Sequence, residues 1–210
     1  MRKPLNLHRK ALALAAPAVL LALSAGPALA HHGMHGDQPS TPAEGFAAGL
    51  AHPVLGLDHF AILIGVGLLA ARFQRGLSLP FVFIIAMAAG CGLHFAKVDL
   101  PLLEIWVALS VFAVGLTAAL RPTAPLPLTL GLFGISGLLH GYALAETMVG
   151  AQTGAVWAYL AGLVLIQGFV ATAVLVAARW LAARHAVFTR LVGGLVAAAG
   201  AAFVVMALSA

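Results

Sequence analysis

Six apolar segments, each near twenty residues long, constrain the fold of this chain more than any other feature of its sequence. A segment of about this length is what an α-helix needs to cross the hydrocarbon core of a bilayer. Only 8% of the residues are charged, whereas a soluble domain typically carries about 25%. The sequence therefore predicts an all-α polytopic membrane protein with six transmembrane helices. We place them at about 50–71, 80–96, 101–120, 126–148, 154–178 and 188–208.

The first thirty residues have the three parts of a cleavable secretory signal peptide. Residues 1–10 are basic, residues 11–23 are apolar, and Ala28-Leu29-Ala30 matches the small-x-small pattern of a cleavage site. A retained anchor is the alternative. We predict cleavage after Ala30 and the following division of the chain: a signal peptide over 1–30, a polar, His-rich segment without regular structure over 31–49, and a six-helix transmembrane domain over 50–210.

Basic residues predict the orientation in the membrane. The loops on one side hold six arginines and those on the other side hold only Lys97, and positive charge is retained on the cytoplasmic side. Both mature termini are then periplasmic, in a bacterial inner membrane. Trp106, Trp157 and Tyr159 near the outer boundary and Trp180 near the inner one fit an aromatic belt. The arginines are Arg72, Arg75, Arg121, Arg179, Arg184 and Arg190.

No Lys or Arg lies within the membrane core of any span, so the candidate ionisable groups there are histidines and carboxylates only. Such groups are costly in lipid and mark functional sites, and this set suits a divalent cation far better than an anion. The plainer interpretation is that Asp58 and His59 hydrogen-bond to another helix. The candidate metal ligands are His52, Asp58, His59, His94, Glu104, His140 and Glu146.

Counting residues sorts these candidates into two layers in the outer half of the membrane. At ~1.5 Å per residue, Asp58, His59 and His140 lie roughly 10 Å below the outer surface. An outer layer lies within about one turn of that surface: His52, His94, Glu104 and Glu146. In a regular helix His52 and His59 are ~10 Å apart along the axis, so we expect them in successive sites, with Pro53 at the helix start.

A repeated pattern suggests how the spans pack. His52-x5-Asp58 in the first span has a counterpart in His140-x5-Glu146 in the fourth. A 3+3 inverted repeat would pack these two spans antiparallel. That arrangement would bring His52 near Glu146, and Asp58-His59 near His140. Chance is the alternative, because H-x5-acid is a loose pattern.

Outside the spans, the sequence says less about partners. His31, His32 and His35 form either a weak metal-capturing tail or an incidental linker. After the leader, seven basic residues face six acids, a net charge of +1, so we predict no nucleic-acid partner. Cys91 is the single cysteine and is interpreted as an inert packing thiol. We expect no prosthetic group, and the sequence does not indicate an oligomeric state.

Three motifs resemble the HupE/UreJ family of nickel permeases. His52-Pro53-Val54-Leu55-Gly56-Leu57-Asp58-His59 matches the family signature H-P-x-x-G-x-D-H. The stretch from Glu104 to Val111 is similar to its glutamate-to-A-x-S-V segment. The stretch from Leu139 to Glu146 resembles its F-H-G-x-A-x-G-x-E segment, with Leu139 and Ala145 as departures and with Glu146 one position before the glutamate of that pattern. The resemblance implies uptake of Ni²⁺, or else Co²⁺, for hydrogenase or urease maturation.

Three functional hypotheses follow from the residues and the resemblance. The first is a metal permease, in which the outer layer captures the ion and the inner layer replaces part of its water shell. The second is an intramembrane metal hydrolase that uses the same Asp58, His59 and His140, with an acid activating water. Against it, the chain has no H-E-x-x-H sequence. The third is a helper subunit of a larger transporter. No Walker A sequence is present, so we do not expect ATP hydrolysis.

Overall fold

The computed structural model describes residues 38–121, 123–183 and 186–209. The signal peptide and His31, His32 and His35 lie outside these residues. Seven α-helices and two short 3-10 helices are found in the described ranges. The α-helices are α1 (Pro42–Leu55), α2 (Leu57–Ala70), α3 (Pro80–Phe95), α4 (Leu103–Leu120), α5 (Leu126–Ala145), α6 (Thr153–Ala182) and α7 (Ala186–Ser209). The 3-10 helices are Gly76–Ser78 and Glu146–Met148.

Five of these helical segments are long and apolar enough to cross a membrane, and the pair α1–α2 can supply a sixth crossing. The structure thus confirms an all-α, multi-pass architecture, with bounds close to those expected for the last five spans. The 3+3 repeat stays a prediction.

The first span differs most from expectation, because it is broken and begins earlier. Helix α1 starts at Pro42, where Thr41 and Glu44 form a reciprocal capping box. Residues 42–49, which we expected to lack regular structure, are therefore helical. Pro53 lies inside α1 and not at a helix start. Helix α1 ends at Leu55, Gly56 is a single extended residue, and α2 then leaves at an angle of 75°.

Helix α2 occupies the centre of the bundle. Ten of its fourteen residues are buried, and it contacts α4, α6 and α7. Around it, three helix pairs pack most closely: α1 with α6, α3 with α5, and α4 with α7. Small residues permit these close approaches, as expected for helices in lipid. A Cβ on Gly141 of α5, for example, would lie 1.9 Å from the Met87 carbonyl oxygen of α3.

Arginines gather at one end of the bundle. The Arg179 Nε donates a hydrogen bond to the Ala71 carbonyl oxygen at 3.2 Å, just beyond the end of α2. The Arg190 Nε donates to the Ala119 carbonyl at 3.1 Å, and Arg72 donates to the Ala118 carbonyl near the end of α4. We call this the arginine end. Lys97 follows α3 at the opposite end.

Candidate metal centre

Asp58, His59 and His140 come together between α2 and α5, and we call these three residues the His–Asp cluster. One potential ligand atom from each lies within 4.8 Å of the others. His140 is 1% exposed and His59 is 6% exposed, whereas the Asp58 side chain is 34% exposed. Within the described ranges, no other set of three His, Cys, Asp or Glu side chains meets this geometry.

The break at Gly56 determines where the motif side chains lie. His52 is in the last turn of α1, and Asp58 is in the first turn of α2. Because the two helices bend by 75° between them, the His52 and His59 rings are 5.6 Å apart between centroids. The expectation of a regular helix with these histidines ~10 Å apart is therefore wrong. His52 lies beside the cluster and not in a separate layer.

Ser110 of α4 sets the tautomer of His140. The Ser110 hydroxyl donates its single proton to the Val107 carbonyl oxygen at 2.7 Å. At its 3.1 Å contact with His140 Nε2, the hydroxyl must then accept the hydrogen bond. His140 Nε2 therefore carries the proton, and its Nδ1 keeps the lone pair that a metal ligand needs.

The same reasoning assigns the proton of His59. The His59 and His140 Nδ1 atoms are 2.7 Å apart, so one of them must donate. Since His140 Nδ1 is the acceptor, His59 Nδ1 carries the proton and His59 Nε2 carries the lone pair. That Nε2 faces Asp58 Oδ2 across 4.0 Å. This gap is too long for a hydrogen bond, but two metal–ligand bonds of about 2.0–2.1 Å can span it.

Tyr159 of α6 holds His52 in a comparable way. The Tyr159 hydroxyl donates to the Leu144 carbonyl at 2.8 Å and meets His52 Nδ1 at 2.9 Å. His52 Nδ1 must therefore be the donor in this contact. Tyr159 is only 1% exposed, so its assignment to the aromatic belt was wrong. Trp106, Trp157 and Trp180 are all about half exposed or more, as belt residues would be.

The other three candidates do not join the cluster. Glu104 and Glu146 are exposed, at the start of α4 and just after α5. His94 packs edge-on against Tyr142, with ring centroids 4.7 Å apart. It lines a separate cavity of about 420 Å³, and Lys97 is another of the lining residues. No described residue hydrogen-bonds to its buried Nδ1. The structure thus brings together the three expected inner-layer residues and leaves these three at the periphery.

The sequence did not predict that Ser110 and Tyr159 hydrogen-bond to the histidines of this site. The sequence shows Ser110 only as a polar residue deep in the third span and as part of a motif, and it suggests Tyr159 only as an interfacial aromatic residue. Cys91, expected to be a packing thiol, is buried and donates to the Gly141 carbonyl at 3.1 Å. It is not part of the His–Asp cluster. Neither Ser110 nor Tyr159 has a sequence signal that predicts a contact with a particular histidine.

Comparisons with known proteins agree with the motif resemblance. The family described as HupE / UreJ protein matches residues 19–203 of this chain. Protein HupE of Rhizobium leguminosarum bv. viciae is similar to it, with 35% identity over 181 residues. The aligned region covers 84% of this chain and 89% of that protein. No solved structure matches the chain.

Proposed function

Because this chain belongs to the HupE / UreJ family, we propose that it is a permease that imports a divalent transition metal ion. Nickel is the first candidate and cobalt the second, and hydrogenase or urease maturation would be the use. The observation that carries the proposal is the His–Asp cluster, because two imidazoles and one carboxylate converge from two helices inside an apolar bundle. The ion is the substrate and not a resident cofactor.

The cluster's chemistry suits a transient ligand set. His59 Nε2 carries an available lone pair, and the Asp58 carboxylate supplies a negative charge. The His140 Nδ1 lone pair accepts the hydrogen bond from His59 and would become a ligand when the ion displaces that bond. The C-terminal end of α1 also lies at the break, and the C-terminal end of a helix favours cations. Few protein ligands permit release as well as capture. Asp58 is the accessible member, so we propose that the ion enters there.

An inside-negative membrane potential would drive inward movement of a dication. Each elementary charge gains about 2.3 kcal/mol per 100 mV, which makes ~4.6 kcal/mol for two charges. The direction requires that the arginine end faces the cytoplasm, and we propose this orientation, with periplasmic termini after signal-peptide cleavage. His31, His32 and His35 would then raise the local metal concentration outside. An enzyme that is active only in the periplasm, fused after Ala210, should be active.

Helix pairing supports the 3+3 inverted repeat. Let α1–α2 be the first span and α3 to α7 be the second to sixth. In the repeat, the first span corresponds to the fourth, the second to the fifth and the third to the sixth. The α3–α5 pair then corresponds to the α6–α1 pair, and the α4–α7 pair corresponds to itself. These are the three closest pairs in the described bundle. In such a repeat, the broken first span and α5 are counterparts, and His59 of one meets His140 of the other.

Uptake by the purified chain tests the permease proposal. Proteoliposomes that contain only this protein should accumulate radioactive nickel when a potassium gradient makes their interior negative. Liposomes without protein and liposomes with an imposed opposite potential are the controls. Absence of uptake by correctly folded protein that binds nickel would instead favour the helper-subunit hypothesis. We do not favour the intramembrane hydrolase, because the chain belongs to the family that its motifs resemble, and that resemblance implies a metal permease.

A further inference from the structure

Gln167 is a buried polar residue that the transport site described above does not use. It lies in the middle of α6, within a stripe that repeats every four residues and faces the bundle interior. Every member is at most 1% exposed: Tyr159, Leu163, Gln167, Ala171 and Leu175. The described residues offer no hydrogen bond to the Gln167 Oε1 atom. Leaving such an oxygen unpaired in a buried place is unfavourable, so the oxygen needs another partner.

Contacts between α6 and α2 locate Gln167 relative to the His–Asp cluster. A Cβ placed on Gly67 of α2 would lie 2.7 Å from the Ala171 oxygen and 2.6 Å from the Val174 Cβ. The two helices both end at the arginine end, where Arg179 binds the Ala71 carbonyl, so they run parallel. Gln167 precedes Ala171 by four residues and Val174 by seven. Because α2 and α6 run parallel, the same offsets from Gly67 give residues 63 and 60, so Gln167 faces the stretch 60–63 of α2. That stretch follows His59 directly, within about one turn or ~6 Å.

Neighbouring contacts support the same depth. The residue after Gln167, Gly168, packs on Ile84 of α3, with 3.6 Å from a Cβ at Gly168 to Ile84 Cδ1. Phe83, beside Ile84, has its ring centroid 6.1 Å from that of His140. Gln167 thus lies immediately beyond the cluster, toward the arginine end.

We propose that the Gln167 side-chain carbonyl binds the cation next, after it leaves Asp58, His59 and His140. An amide oxygen is a neutral ligand that divalent cations accept. It binds more weakly than a carboxylate with two imidazoles, and a weaker second position permits the ion to move on. Gln167 therefore governs the rate of passage and not the affinity of capture. This inference rests on the proposed permease function.

The test is nickel uptake by proteoliposomes that contain Gln167→Leu, measured over a range of nickel concentrations. We expect the maximal rate to fall about tenfold or more, as for loss of a supporting metal contact, while the half-saturating concentration stays within about twofold. Nickel binding to the purified variant, followed by calorimetry, should remain like that of the parent. Thr172→Val is the matched control, because Thr172 lies on the lipid-facing groove of the same helix, and its uptake should not change.

A second pair of variants tests the inference if Gln167→Leu does not fold. If Gln167→Leu is not recovered as folded protein, Gln167→Glu, which keeps an oxygen ligand, should transport, whereas Gln167→Met of similar size should not. Parent-like uptake by Gln167→Leu or Gln167→Met, with normal thermal unfolding, would overturn the inference and make Gln167 a packing residue. Failure of the parent protein to transport would instead overturn the permease proposal.

Discussion

The His–Asp cluster and the peripheral candidates His94, Glu104 and Glu146 differ in what surrounds their side chains. In the cluster, each histidine is held by a second group, since Ser110 binds His140 Nε2 and His140 binds His59. At the periphery, Glu104 and Glu146 are exposed, and His94 faces a cavity with Lys97. The residue types are the same in the two regions. Convergence and support from neighbouring helices, and not residue type, distinguish the cluster that we propose as the ion site from the peripheral candidates.

Asp58→Asn should have the largest effect. It keeps the side-chain shape but removes the only negative charge in the cluster, so we expect nickel uptake to fall to background while the protein remains folded. Concentration-dependent uptake, normalised to the amount of inserted protein, is the measurement. Asp99→Asn is the matched control, because Asp99 is an exposed acid in the loop after α3. Uptake by Asp58→Asn at the parent rate would mean that the central motif is structural.

Gly141→Ala should be the next most harmful change. The new Cβ would lie 1.9 Å from the Met87 carbonyl oxygen, so α3 and α5 must separate beside His140. Overpacking of this kind costs about 1–3 kcal/mol of stability, and we expect a lower unfolding temperature in detergent together with weaker uptake. Gly131→Ala, on the same helix, meets nothing within 4 Å and should behave as the parent. Equal stability of the two variants would contradict the close α3–α5 packing.

The sequence predicted the helix-rich architecture well, because a bilayer imposes both length and hydrophobicity on each span. It failed at the first span, where apolar residues stand directly on both sides of Gly56, with Leu55 before it and Leu57 after it. The earlier start was readable in Thr41-Pro42-Ala43-Glu44, a capping box with proline at the first helical position. The 75° bend could not be predicted from the sequence, because a single extended residue between two helices is too short to change the local composition.

The sequence also predicted the depth of each candidate residue along its helix. It grouped Asp58, His59 and His140 correctly in space, because the rise per residue is fixed. It could not give the direction in which each side chain points, which depends on how helices rotate against one another. For that reason Glu104 and Glu146 were expected beside a pathway but are exposed. Tyr159, expected at the lipid boundary, is instead buried against His52.

Ser110→Ala should have an intermediate effect that reports on support of the cluster. Without the hydroxyl, His140 Nε2 loses its partner and the ring can rotate or change tautomer. Loss of such an outer contact typically lowers metal affinity 10–100-fold, so the half-saturating nickel concentration should rise by about that factor. Thr117→Ala is the control, because Thr117 makes a similar hydrogen bond to the Ala113 carbonyl on the same helix. A Ser110→Ala variant with unchanged affinity would show that the tautomer of His140 is set elsewhere.

The smallest effects should come from the peripheral carboxylates. Glu104→Gln and Glu146→Gln remove exposed charges, whose interactions are worth ~0.2–1 kcal/mol, so half-saturating nickel should rise by at most about fivefold. The maximal rate should not change, because these side chains lie outside the His–Asp cluster. Their effect should also disappear when the salt concentration is raised to 1 M, where the Debye length is about 3 Å. Repeating the titration for both variants at low and high salt measures this directly. A loss of maximal rate that salt does not alter would move the carboxylate concerned from the periphery into the pathway.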